Sequence, residues 1–307
     1  MNITVIGTGG VGGYFGGRLA QAGNNKVTFV ARGRQLQAIK NNGLTVKSIK
    51  GDFIINPATV SDNYNSVAHA DLVLVCTKAW QVKEVAEKIA PELNPGAMVL
   101  PLQNGILAAD ELSEFIPKQQ IISGLCKVFS MIVSPGVIAH KGIDPTIVFG
   151  ETDNTKTERA EWLHKTLEQA GITHVWADDM QSELWKKFLM ISSSALLAVT
   201  NTNYGELRSI PETRQLLEEL YTEIYHVGTA AGVRLPDNIV DRTMKAVDKF
   251  PPGSTSSLTR DIWDGKPSEI EYQNGTVVKL GNKLNVSTPV NRFVYFSLIP
   301  SEMKARN

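Results

Sequence analysis

The chain has 307 residues, enough for two domains, each with a core of its own. Its 31 basic and 31 acidic residues balance, which removes any global electrostatic case for nucleic acid or an anionic membrane surface as a partner. Its two cysteines, Cys76 and Cys126, lack ligand spacing, so neither a disulfide framework nor a metal site is expected.

The strand pattern Asn2-Ile3-Thr4-Val5-Ile6 runs into Gly7-Thr8-Gly9-Gly10-Val11-Gly12, and Val11, Phe15 and Leu19 then fall at helical spacing. Strand, glycine turn and helix in this order predict a dinucleotide site. Gly7 permits the tight turn, Gly9 leaves the backbone open to a pyrophosphate, and Gly12 lets the helix pack close to the strand. The helix N-terminus would offer its unpaired N–H groups to the phosphates. No basic and apolar leader pattern precedes the strand, so a cytoplasmic chain is expected. The apolar helical stretch Phe188 to Val199 is interrupted by Ser192-Ser193-Ser194 and is too short to span a bilayer.

Lys26 to Ala31 reads as the second strand. An NAD site normally places an acid at its end to hold the ribose 2′-hydroxyl. Val27 to Gln35 contains no acid and carries Arg32 and Arg34. A guanidinium would bind a 2′-phosphate through charge-assisted hydrogen bonds, so NADPH is the expected cofactor; the plainer reading is two solvated arginines. A short helix over Arg34 to Asn42 and two β segments between Leu44 and Val60 follow. Asp71 to Cys76 is a continuous apolar run, the pattern of a buried parallel strand, and it ends in Thr77-Lys78-Ala79-Trp80. Ala97 to Leu102 is the next strand, ending in Gln103-Asn104-Gly105. The Gly7 turn, Arg32, Lys78 and Asn104 therefore all occupy strand carboxyl ends, where ligands bind in doubly wound sheets. Ile121 to Glu151 is β-rich, with His140 read as a structural histidine, and a helix near Thr157 to Ala170 and a strand through Trp176 complete an α/β domain over residues 1–177.

Helical periodicity takes over from residue 178, which predicts an all-α domain over 178–307. One helix is expected from Asp178 or Asp179 to about Val199, with Leu184, Phe188, Ile191 and Ala195 as its apolar stripe. Lys186 reads as solvated. Lys187 borders the stripe and either snorkels to water or reaches a ligand as a proton donor of lowered pKa. Further helices are expected at 212–232 and 236–249. The hydroxyl-rich segment Ser254 to Ser257 precedes the helix carrying Arg260 to Trp263, where capping is its plain role. Another helix starts at Ser268-Glu269, and a last one runs to the C-terminus.

Taken together, Gly7 to Gly12, Arg32, Thr77 to Trp80, Gln103-Asn104-Gly105, Glu183 to Lys187 and Ser256-Ser257 with Glu269 resemble the ketopantoate reductase (2-dehydropantoate 2-reductase) family, in its order and spacing over nearly the whole chain. The resemblance implies a Rossmann-type N-terminal domain, an α-helical C-terminal domain and an active site in a cleft. It also implies NADPH-dependent reduction of a small 2-keto acid, in the named activity 2-dehydropantoate to (R)-pantoate for pantothenate biosynthesis. By position, Lys187 matches the general acid and Asn104 the asparagine that binds the cofactor ribose and orients the lysine. Lys78 matches a lysine on the cofactor side, Glu269 the carboxylate that receives a substrate hydroxyl, and Ser257 a substrate-binding serine. The family pattern has asparagines where this chain has Ile191 and Ala195, with Ser194 able to replace part of their bonding. The family's asparagine before the serine is Ser254 here.

The sequence thus predicts a 2-keto acid reductase whose substrate face includes Ile191, Ser194 and Ala195. Two alternatives stay open. One is a D-2-hydroxy-acid dehydrogenase acting on branched-chain keto acids; the other is a non-catalytic NADPH-binding or redox-sensing protein. The helical domain offers surfaces for a homodimer, but no motif demonstrates one.

Overall fold

The computed structural model describes residues 1–307, which divide into two compact units. The first comprises Met1–Gln103 and Leu107–Met180, the second Asn104–Ile106 and Gln181–Asn307. The change of unit thus falls just after Met180 rather than before Asp178, and the excursion at Asn104 was not expected from the sequence. No helix is long and apolar enough to cross a membrane.

In the first unit, β1 (Asn2–Ile6), α1 (Gly10–Gln21), β2 (Lys26–Val30) and α2 (Gly33–Asn42) open the chain. Then come β3 (Leu44–Ser48), β4 (Phe53–Ile55), β5 (Thr59–Ser61), β6 (Leu72–Val75), α3 (Val82–Ile89), β7 (Met98–Pro101) and α4 (Ala108–Ser113). The strands β5-β2-β1-β6-β7 form one sheet, parallel throughout. Its order reverses about β1, which places the turn after β1 at the switch point. Both faces are covered. Ile3, Val5, Leu72 and Leu74 pack on one side with Phe15, Leu19 and Phe29. Ile6, Val73 and Val75 pack on the other with Val82, Val85 and Ile89. Two-sided burial explains why Leu72 to Val75 is apolar without alternation. Each fully buried side chain of this size contributes about 1.5–3 kcal/mol.

The unit continues with β8 (Ser123–Lys127), β9 (Ser130–Ser134), β10 (Val137–His140), β11 (Thr146–Gly150), α5 (Glu158–Gln169) and β12 (Thr173–Trp176). These build two smaller sheets, β4-β3-β10-β9 and β12-β11-β8. His140 has both ring nitrogens occupied, Nδ1 with the Ser48 hydroxyl at 2.8 Å and Nε2 with the Ile143 carbonyl at 2.9 Å, as a structural histidine should.

The second unit is helical: α6 (Met180–Ile191), α7 (Ser193–Thr200), α8 (Tyr204–Ser209), α9 (Pro211–Ala230), α10 (Ile239–Val247), α11 (Ser257–Trp263), α12 (Thr276–Leu284) and α13 (Pro289–Arg306). Its core gathers Phe188, Leu189, Leu196, Leu217, Tyr221, Ile224, Val277 and Val294. The structure corrects three sequence expectations here. The helix expected to run to Val199 is two helices broken at Ser192. The serine hydroxyls cause this locally: Ser192 donates to the Phe188 carbonyl at 2.8 Å and Ser193 to Met190 at 2.8 Å, competing with the backbone ladder. Lys186 is half-buried and paired with Glu183 one turn earlier, not simply solvated. The helix after Glu269 begins as a π turn, Glu271–Gly275.

Candidate active site

The turn after β1 is shaped from within. Gly7 has φ +94°, and a Cβ there would stand 2.8 Å from the Thr77 backbone nitrogen, so the turn requires glycine. The Gly7 and Thr8 amides both donate to the Val30 carbonyl, at 3.2 and 3.3 Å. The Thr8 side chain is buried and donates to the same oxygen at 3.0 Å, so it sets the turn's shape. Gln35 braces the loop from outside: its Nε2 donates to the Thr8 carbonyl at 3.0 Å, and its Oε1 accepts from Gly136 at 2.9 Å. A Cβ on Gly12 would lie 2.2 Å from the Gly7 oxygen, and one on Gly10 would lie 2.4 Å from the Ser130 oxygen. Gly9 differs: nothing stands within 4 Å of its Cβ position.

Gly9 is the N-cap of α1, with no side-chain cap and no acid in the first turn. Gly13 makes the first turn's bond back to Gly9 at 2.8 Å, leaving the amides of Gly10, Val11 and Gly12 at the helix's positive end. An open backbone approach beside uncapped amides is what a pyrophosphate needs, so the donor set fits a dinucleotide.

The other strand ends carry the expected residues. Arg32 follows β2, is exposed, and donates through Nη2 to the Tyr64 hydroxyl at 2.9 Å. Lys78 follows β6, half-buried, with Nζ 5.7 Å from the Trp80 ring centroid. Gln103 follows β7 and staples two ends together, its Nε2 donating to the Val75 carbonyl at 2.9 Å and to the Thr77 carbonyl at 3.2 Å. Tyr64, Gln35 and Gln103 escaped the sequence reading as site residues. Their partners lie far along the chain, and no local spacing signals them.

In the second unit, Asn104 and Glu269 come together across 165 positions: the Asn104 Nδ2 donates to Glu269 Oε2 at 3.0 Å. Glu269 is buried, and Asn104 is half-buried. Ser268, the neighbour of Glu269, is fixed by its amide and hydroxyl, which donate to Glu302 at 3.0 and 2.6 Å. Arg306 completes that clamp, donating to the Ser268 carbonyl at 3.1 Å. Lys187 lies on α6, half-buried.

The predicted substrate face is less open than expected. Ile191 is half-buried, but Ser194 and Ala195 are 2% and 0% exposed, inside the unit's core. The break at Ser192 separates these two from the helix that bears Lys187. The Ser194 carbonyl accepts from Thr259 Oγ1 at 2.7 Å, and Thr259 Oγ1 bonds Ser256 Oγ at 2.8 Å, which ties α7 to the start of α11. Ser256 is the cap of α11, its Oγ accepting from the Thr259 amide at 3.0 Å. Ser257 stands exposed in the first turn.

The model for the family "Ketopantoate reductase PanE/ApbA" matches residues 3–154, and that for "Ketopantoate reductase PanE/ApbA C terminal" matches residues 179–299. An uncharacterized oxidoreductase of Bacillus subtilis, YkpB, is 27% identical over 97% of this chain and 98% of its own. A 2-dehydropantoate 2-reductase of Pyrococcus abyssi is 30% identical over 96% of each chain. The crystal structure of a PanE/ApbA family ketopantoate reductase from Ralstonia eutropha superposes with a TM-score of 0.92 and 30% identity over 100% of both chains. With a parallel dinucleotide-type sheet, a helical second unit and both family models in register along it, the chain belongs to the ketopantoate reductase PanE/ApbA family of oxidoreductases.

Proposed function

We propose that this protein reduces a small 2-keto acid with NADPH, the leading substrate being 2-dehydropantoate and the product (R)-pantoate. The observation that carries the reading is the buried Glu269 carboxylate held by the Asn104 amide at 3.0 Å, in the unit that also bears Lys187. NADPH, when bound, supplies the hydride. The open backbone at Gly9 and the uncapped amides of α1 would hold the pyrophosphate. Arg32, steadied by Tyr64, would meet the 2′-phosphate, and Lys78 would serve the cofactor side. Lys187 donates a proton to the substrate carbonyl oxygen as negative charge develops there, and until the proton moves its positive charge stabilises that oxygen. Glu269 accepts a hydrogen bond from the substrate hydroxyl. Asn104, already bonded to Glu269, keeps that carboxylate aimed, and its amide oxygen would serve the cofactor ribose. Ser257 contributes a hydroxyl to the substrate.

Ile191 favours a second reading, a D-2-hydroxy-acid dehydrogenase for branched-chain keto acids, because an apolar side chain stands where the family carries an amide. NADPH oxidation measured with 2-dehydropantoate, 2-ketoisovalerate and 2-ketoisocaproate separates the two. A higher kcat/KM for the unhydroxylated acids rejects the pantoate assignment. Lys187→Ala is expected to abolish turnover and leave NADPH affinity within about threefold, since the lysine acts on the reacting oxygen. Turnover that survives it removes the general-acid role.

A further inference from the structure

We propose that Asn274 is a positioning residue for the reaction, its buried amide tying the break after the lysine-bearing helix to the turn that carries Glu269. The inference rests on the roles given above to Lys187 and Glu269. Asn274 is 0% exposed. Its Nδ2 donates to the Ser192 carbonyl at 3.2 Å and to Asn291 Oδ1 at 2.9 Å, so both amide hydrogens are used. Asn291, also 0% exposed, passes the connection on. Its Nδ2 donates to the Leu220 carbonyl at 3.2 Å and to Glu223 Oε2 at 2.7 Å. The Glu223 carboxylate also accepts from the backbone amides of Val290 and Asn291, at 2.8 and 2.9 Å, which caps the start of α13. One buried network therefore joins α6/α7, the π turn, α13 and α9.

Two departures from ideal helix meet at this amide. Ser192 is the break five residues after Lys187, and Asn274 lies in the π turn five residues after Glu269. Each irregularity begins or lies within five residues of a proposed functional side chain, and π turns are frequent at functional sites. Stability gives little reason for amides here. Apolar side chains of similar volume would fill the space without the cost of burying polar groups. Asn274 Oδ1 accepts no hydrogen bond, which adds to the cost of burying this amide, and what the network adds in return is a single geometry. Glu269 is then flanked by the Ser268–Glu302 clamp before it and by Asn274 after it, and the second anchor reaches the break that follows the helix of Lys187.

The test is Asn274→Leu, which keeps volume and removes the hydrogen bonds, beside Asn274→Asp, which keeps shape and loses the donors. Both are expected to lower kcat by roughly 10–100-fold, the penalty of a misplacement near 1 Å, while NADPH affinity stays within about twofold. The alkaline limb of the kcat–pH profile should also move, because the surroundings of Lys187 change. Mere destabilisation would instead reduce the number of NADPH-binding sites and leave both kcat per site and the profile unchanged. Asn291→Leu, which frees one of the two Asn274 hydrogens, is the second variant should Asn274→Leu not fold, with kcat expected to fall by roughly 3–10-fold. Wild-type kcat per NADPH-binding site in the folded variant overturns the proposal. If Lys187→Ala is inactive and the network variants are fully active, only the positioning role fails; if Lys187→Ala turns over, the reading of the lysine fails first.

Discussion

Gly9→Ala and Gly12→Ala test the cofactor turn against each other. At Gly9 the φ of −85° suits alanine, and the Cβ meets nothing within 4 Å. The poorer N-cap and the stiffer unfolded chain oppose each other, so stability should change by less than about 1 kcal/mol. The methyl group would stand where a pyrophosphate meets the backbone. Losing two charge-assisted amide bonds at about 1.5–3 kcal/mol each weakens NADPH by roughly 10²–10⁴-fold. At Gly12 the Cβ would be 2.2 Å from the Gly7 oxygen, with Cys76 Cβ and Val5 Cγ1 at 3.0 Å. The start of α1 must lift by about 1 Å, an overpacking cost of roughly 1–3 kcal/mol and a fall in Tm of roughly 2–12 °C. Thermal unfolding without ligand and fluorescence titration with NADPH measure both quantities. In wild type, NADPH at 100 times its Kd should add about 2.7 kcal/mol of stability, and in Gly9→Ala the same concentration should add about 0.4 kcal/mol or less. Wild-type NADPH affinity in Gly9→Ala would mean that the turn does not hold the pyrophosphate.

Arg32→Ala should weaken NADPH by roughly 10–100-fold and NADH by less than about twofold, with Tyr64→Phe giving a smaller loss of the same selectivity; equal loss for both cofactors in titrations removes the 2′-phosphate role. Burial pushes the Tyr204 and Tyr221 hydroxyls above their ordinary value of 10.0, Tyr221 furthest. Their contribution to stability is complete below the unfolded value and falls as pH rises beyond it, because the unfolded chain then releases protons that the folded chain keeps. The slope is about 1.4 kcal/mol per pH unit for each tyrosine, and Tyr204→Phe should flatten it in denaturant melts above pH ~10. Ile191→Asn should raise the kcat/KM ratio of 2-dehydropantoate to 2-ketoisovalerate by roughly tenfold, and an unchanged ratio would mean that this side chain does not choose the substrate.

Local patterns in the sequence carried the first unit well. The continuous run Leu72 to Val75 required two covered faces, and the spacing of Gly7, Gly9 and Gly12 required a strand-to-helix turn. The second unit was legible as helices, yet its geometry was not. Apolar periodicity through Leu184, Phe188, Ile191 and Ala195 runs smoothly past Ser192, because the stripe records burial and is blind to serine hydroxyls that bond back to helix carbonyls. Ser194 is buried where Thr259 holds its carbonyl, a contact across 65 positions that no local pattern signals. Tyr64 beside Arg32 and Glu269 beside Asn104 are likewise pairings that only the folded chain reveals.

The three residues Gln103-Asn104-Gly105 show how a short motif divides its work by side chain. Gln103 follows a strand of the first unit, and its amide binds the Val75 and Thr77 carbonyls there. Asn104 belongs with the helices, and its amide binds Glu269. Gly105 makes that placement feasible: its φ is +97°, and a Cβ would press to 2.9 Å of the Tyr272 carbonyl, in the turn that follows Glu269. A larger residue at 105 would have to push that turn away, and Glu269 with it. The glycine is therefore as much a part of the Asn104–Glu269 arrangement as the two side chains that bond. A residue three positions past a strand and a carboxylate 165 positions later share one hydrogen bond beside a turn that leaves no room for a methyl group at 105.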